Sequence, residues 1–152
     1  MIRTALAVSA LLLATATPAT AAPTGYIIWD SDAGAHPTQG RSGNWTPPEL
    51  FSVRNEEENR IRVQGEDSTG WEYLVIELGR HDGLRITEGS YVDQRALVVN
   101  RGLGWWDEAA EFTVDHIAYD ADGRISELEA AVEHHYRDQP DTEFRAKVSY
   151  RR

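Results

Sequence analysis

The chain has 152 residues, no cysteine and a formal net charge of −10, from 25 acidic residues against 15 lysines and arginines. That acidity argues against nucleic acid as a partner, since a duplex presents dense negative charge, and against anionic membrane surfaces. Without thiols there are no disulfide staples, thiol nucleophiles or thiolate metal sites, so stability has to come from packing.

The first 22 residues have the three parts of a secretory leader. Arg3 gives the positive start, Ala5 to Ala14 form an apolar run broken only by Ser9, and Ala19-Thr20-Ala21-Ala22 offers an Ala-x-Ala cleavage site. The run is shorter than the about 20 apolar residues that span a bilayer. The expectation is a signal peptide over 1–22 and one domain over 23–152, secreted and extracellular, with no membrane association after cleavage.

Residues 23 onward alternate in the manner of strands separated by turns. Tyr26 to Asp30 is a short apolar strand, and Ala33 to Pro48, rich in Gly, Pro, Ser and Thr, reads as a long loop. Leu50 to Arg54 alternates, Asn55 to Asn59 is a charged turn, and Arg60 to Gln64 alternates again through Ile61 and Val63. Trp71 to Leu78 is a stronger strand between Gly70 and Gly79, with Trp71 placed in the core alongside Trp29. Leu84 to Tyr91 is a connection that ends in a strand start. Gln94 to Asn100 is a strand that breaks at Gly102 and Gly104. Glu111 to Tyr119 and Ile125 to Tyr136 flank Asp120-Ala121-Asp122-Gly123, a hairpin turn. Pro140 and Asp141 mark a last loop. Glu143 to Tyr150 then puts Phe144, Ala146, Val148 and Tyr150 on one face.

The late hairpin carries a finer signal. Phe112 and Val114 share one face, but Ile117 and Tyr119 fall on the other by strict alternation. In the partner strand Ile125 is out of phase with Leu128, Ala130 and Val132. Matching flips in facing strands predict bulges near Asp115-His116 and Ser126-Glu127, which keep both apolar sets inward. Eight or nine such strands predict an all-β antiparallel fold with no substantial helix, a two-sheet β-sandwich first and a small β-barrel as the alternative.

Several short motifs give a likeness. Ser31-Asp32-Ala33-Gly34, Arg101-Gly102, the hairpin residues Phe112, Val114, Ile117, Tyr119 and Gly123, and Glu133-His134-His135-Tyr136 follow one another in order. In these the chain resembles a family of short secreted proteins from actinomycete bacteria. The resemblance implies a β-sandwich and export but no established activity. The family's two cysteines are absent, and aromatic residues, Trp105 (or Trp106) and Tyr136, stand near their places. If those positions face each other, aromatic packing takes the place of a cross-link.

No catalytic motif is present: Gly40-Arg41-Ser42-Gly43 lacks the spacing of a nucleophile elbow, and no phosphate-cradling loop occurs. Asp120 to Gly123 lacks the further ligands of a calcium loop and reads as a turn. His134 and His135 point to opposite faces of a strand and cannot easily clasp one ion. His116 and His134, with Glu133 or Asp115, form the one conceivable metal set, but ordinary strand or surface histidines are the reading adopted, with no metal and no cofactor. Acidic pairs such as Asp30 with Asp32, or Glu72 with Glu77, are too many to single out a glycosidase dyad.

The sharpest feature is aromatic. Trp45 lies in the long loop, and Trp105 and Trp106 are consecutive, so in an extended chain one of them points outward. Indole faces beside carboxylates suit the apolar faces and hydroxyls of sugar rings. The expected function is a non-catalytic extracellular binding module for carbohydrate or a cell-envelope polymer, touched by Trp45, Trp105 or Trp106 with Asp30 and Asp32 nearby. The alternatives are a protein-binding module or inhibitor of a secreted enzyme, presenting residues 33–48, and a small carboxylate-dependent hydrolase.

Overall fold

The computed structural model describes residues 23–47, 49–136 and 139–152; the expected leader lies outside them. Nine strands follow in order: β1 (Thr24–Ser31), β2 (Gly43–Trp45), β3 (Leu50–Glu57), β4 (Arg60–Glu66), β5 (Tyr73–Gly79), β6 (Gly89–Asn100), β7 (Leu103–Tyr119), β8 (Ile125–Tyr136) and β9 (Gln139–Arg151). No described residue is helical. The strands form one antiparallel sheet in the order β2-β1-β9-β8-β7-β6-β5-β4-β3. The all-β expectation is met, and the barrel alternative describes it better than two separate sheets. A twisted sheet this wide curls rather than staying open.

Alternation fills the interior. Phe144, Ala146, Val148 and Tyr150 of β9 point inward, as do Leu128, Ala130 and Val132 of β8 and Leu74, Ile76 and Leu78 of β5. Aromatic side chains pack across the interior near the edge strands β2 and β3, which no described ladder joins. Phe51 of β3 meets Tyr150 of β9 at 5.5 Å between ring centroids. Trp45 of β2 stacks on Trp29 of β1 at 5.7 Å and 9°. Two glycines make room for that stack. A Cβ on Gly43 would lie 2.6 Å from Nε1 of Trp29, and one on Gly65 would lie 3.1 Å from Cγ of Trp45.

The paired bulges predicted for the late hairpin are present. Val114 faces Ala130 and His116 faces Glu129, leaving Asp115 over; Ala118 faces Glu127 and Tyr119 faces Ile125, leaving Ser126 over. One extra residue on each strand cancels the other's slip. Ile125 is therefore as deeply buried as Leu128, despite its opposite sequence phase.

Other elements differ from the sequence reading. The charged turn shrinks to residues 58–59, because β3 continues to Glu57. Pro140 and Asp141 belong to β9, where proline is tolerated near a strand's start. Residues 103–110, expected to follow a break, are the first half of the 17-residue β7. Trp71 is not core: it is 82% exposed in the loop before β5. A Gly-Trp start resembles a strand in composition. However, Asp67 draws the loop into a turn by accepting from the backbone of Thr69 and, at its carbonyl, from Gly70.

The long loop after β1 caps one end of the barrel, called the upper end here. Ala35 and Thr38 are buried, and Arg41 donates to the carbonyls of Thr38 and Pro37. At the lower end the β5–β6 connection inserts Ile86, which is fully buried.

Candidate functional site

The site grows from a place where two ladders part. β7 pairs with β8 only from Glu111, opposite Glu133, onward. Above that point residues 103–107 of β7 pair with β6, while His134 and His135 of β8 pair with β9. A register shift on β7 between Asp107 and Ala110 accompanies the parting, the local kink that a bulge produces. The result is an open cavity of about 850 Å³, lined by Gly104, Trp105, Trp106, Asp107, Glu108, Ala109, His135 and Tyr136.

Side-chain bonds replace the missing ladder. The Asp107 carboxylate accepts from the backbone N–H of Ala109 at 2.9 Å and of His135 at 2.7 Å. Nε2 of His134 lies 3.0 Å from the carbonyl oxygen of Trp105. That oxygen can only accept, so Nε2 carries the proton. His134 is 1% exposed, and desolvation lowers its pKa below the ordinary value, keeping the ring neutral.

Alternation then sorts the lining. Trp105 faces Val98 and points inward, whereas Trp106 faces Leu97 and points outward. The rings of Trp105 and Tyr136 meet at 4.6 Å and 66°, and His36 of the capping loop closes the cluster at 4.9 Å from Tyr136. Trp105 and Tyr136, distant in sequence, thus face each other. Trp106 carries the Arg95 guanidinium 4.7 Å from its ring centroid, and Arg95 also pairs with Glu108 at 3.0 Å.

Of the residues singled out in the sequence, the cavity brings together Trp105 and Trp106. Trp45 is elsewhere: at 6% exposure it is a core residue stacked on Trp29, so its indole offers no face at the surface. Asp30 and Asp32 share the outer face, as their spacing implied, but both are held by Arg145 at 3.4 and 3.3 Å. The Arg145 side chain, bonded to Asp32, is the main cause holding that carboxyl below its usual range; His135 adds a smaller pull. This acidic pair therefore borders the cavity's His135 side without lining it.

The remaining candidates separate. His116 is on the outer face between Glu88 at 2.9 Å and Glu127 at 3.3 Å, while His134 is inside, so they form no common metal set. No group of three metal-ligating side chains occurs among the described residues. Glu72 pairs with Arg101, and Glu77 with Arg62 at 2.7 Å. Asp120 to Gly123 is a turn: Asp120 accepts from the backbone N–H groups of Asp122 and Arg124, and these bonds pull its pKa down to about 2.

Sequence reasoning missed Asp107, His135 and Tyr136 as one site. The residues are separated along the chain, and the cavity exists only because β7 and β8 diverge. No family model, curated protein or solved structure matches the chain.

Proposed function

We propose that the chain is a non-catalytic extracellular binding module that holds a ring of a carbohydrate or cell-envelope polymer in the cavity between β7 and β8. The observation that supports this most is an aromatic corner, Trp105 against Tyr136, set in an open cavity whose polar groups are Asp107, Glu108 and His135. Apolar walls with a few placed polar groups are the usual make-up of small-ligand sites. Indole and phenol faces fit the C–H face of a sugar, and carboxylates accept from its hydroxyls. A leader over 1–22 accords with work outside the cell.

Two features weigh against turnover. The carboxylates Asp30 and Asp32 are engaged with Arg145, and each oxygen of Asp107 accepts one backbone N–H that fixes its orientation. The capping loop is only partly presented for protein recognition, being buried at Ala35 and Thr38 and exposed at Ala33, Gly34, Gln39 and Gly40.

Tryptophan fluorescence of residues 23–152, titrated with soluble glycans and paired with pull-downs on insoluble polysaccharides and cell wall, tests this reading. A saturable change is expected, lost in Trp105→Ala while Trp71→Ala leaves it intact. No response across the panel from a correctly folded protein would overturn it.

A further inference from the structure

We infer that the cavity selects a ligand bearing an organic cation, in practice an amino sugar with a free ammonium group; this rests on the binding-module reading above. The argument starts at Asp107. Its side chain is 10% exposed, and among the described residues no lysine or arginine lies within 4 Å of it. The nearest basic atom is Nδ1 of His135, at 3.7 Å. Two backbone N–H bonds satisfy the carboxylate in part, but they bring no counter-charge. A buried carboxylate without a cation is costly, and one supplied by a ligand offsets that cost.

The walls point the same way. Trp105 and Tyr136 meet edge to face at 66°, giving the cavity an aromatic wall rather than a flat stack. An aromatic face in such a wall attracts ammonium groups through its negative potential. The chain already uses this chemistry one residue away, where Arg95 lies over Trp106 and pairs with Glu108. There an aromatic face and a neighbouring carboxylate hold a cation that the protein supplies; at Trp105 and Asp107 the aromatic surface and carboxylate are present, and no described lysine or arginine is paired with them. The surplus of 25 acidic over 15 basic residues adds a field that draws cations in and turns polyanionic glycans away.

The test compares glucosamine oligomers with their N-acetylated counterparts of equal length, by tryptophan fluorescence or calorimetry at low and moderate salt. The amine-bearing oligomers are expected to bind about tenfold more tightly, the scale of a desolvated cation–π contact with a charge partner. Asp107→Asn should erase that preference while retaining weak binding of both series. If Asp107→Asn fails to fold, the salt arm decides, because the preference must shrink as ionic strength rises. Equal or tighter binding of the acetylated series overturns the inference and leaves the binding-module reading standing. Binding of neither series, or of any other glycan, overturns both.

Discussion

The two ends of the barrel solve the same problem differently. At the lower end most of the polar groups brought inside are paired, with Nε of Arg60 the exception among the described residues. The Tyr119 hydroxyl donates to the Ile86 carbonyl at 3.1 Å, and Asn55 donates to the carbonyl of Gly123 at 3.0 Å. Arg85 lies 3.7 Å over the Tyr119 ring, and Asp120 fastens the hairpin turn to Arg124. At the upper end, Nε1 of Trp105, Nδ1 of His36, Oγ1 of Thr38, Oδ1 of Asn100 and Nδ1 of His134 are buried without a partner among the described residues. Native interiors rarely leave polar atoms so. Buried atoms without a protein partner are thus more numerous around the upper end, where β7 parts from β8, than at the lower end. A stability cost concentrated around a cavity is the pattern of a site shaped for contact.

That contrast makes ordered predictions. Ile86→Ala, which empties the lower plug, should cost about 2–5 kcal/mol, by analogy with other buried aliphatic truncations. Urea titration would show it, and a loss below the range of ordinary surface changes would mean that the plug carries little. Next comes His134→Leu at the upper end, which leaves the Trp105 carbonyl without its donor and should cost about 1–3 kcal/mol at neutral pH. The same variant separates the ends by pH. His134 has its folded pKa lowered, so the unfolded chain binds the proton more readily, and the stability it represents is full above its ordinary 6.5 and lost as pH falls below that. The decline between neutral and mildly acid pH should therefore flatten in His134→Leu; an unchanged slope would place the acid sensitivity elsewhere. Tyr119→Phe, which removes one hydrogen bond at the lower end, should cost about 1 kcal/mol. Smallest is Trp71→Ala, expected within about 0.5 kcal/mol of the parent because the side chain is mostly in solvent; a large loss would show that the indole packs after all.

How much of this was legible in the sequence depended on range. The compensating bulges at Asp115 and Ser126 could be read in advance, because a phase flip is a local record of a non-local demand: each strand had to return its apolar residues to one interior. Trp45 could not be placed, because its neighbours are loop residues. The partners that enclose it, Trp29 and the cleared space at Gly43 and Gly65, come from three separate segments. Trp71 misled for the opposite reason, lying beside a strand in sequence but held outside it by the turn at Asp67. Trp105 and Trp106 were recognised as a pair whose faces diverge. Their setting was hidden because the true turn at Arg101-Gly102 is followed by Gly104, which obscures the start of β7, and the irregularity between Asp107 and Ala110 masks the alternation that continues through it.

The pairing of β1 with β9 bears on how the barrel assembles. From β3 to β9 every strand adjoins its predecessor in sequence, so hairpins can form in turn as each segment becomes available. β1 is different: Asp30 faces Arg145, 115 residues away, and β2 can be seated only on β1. Closing so long a loop has an entropic cost that hairpins avoid, and contacts of this kind slow folding. β1 and β2 should thus be among the last strands to gain protection in a pulsed hydrogen-exchange experiment. Until β9 arrives, Ile27 and Trp29 can pair only with the three-residue β2, and that short ribbon has no sheet to dock on while the meander behind it is already taking shape.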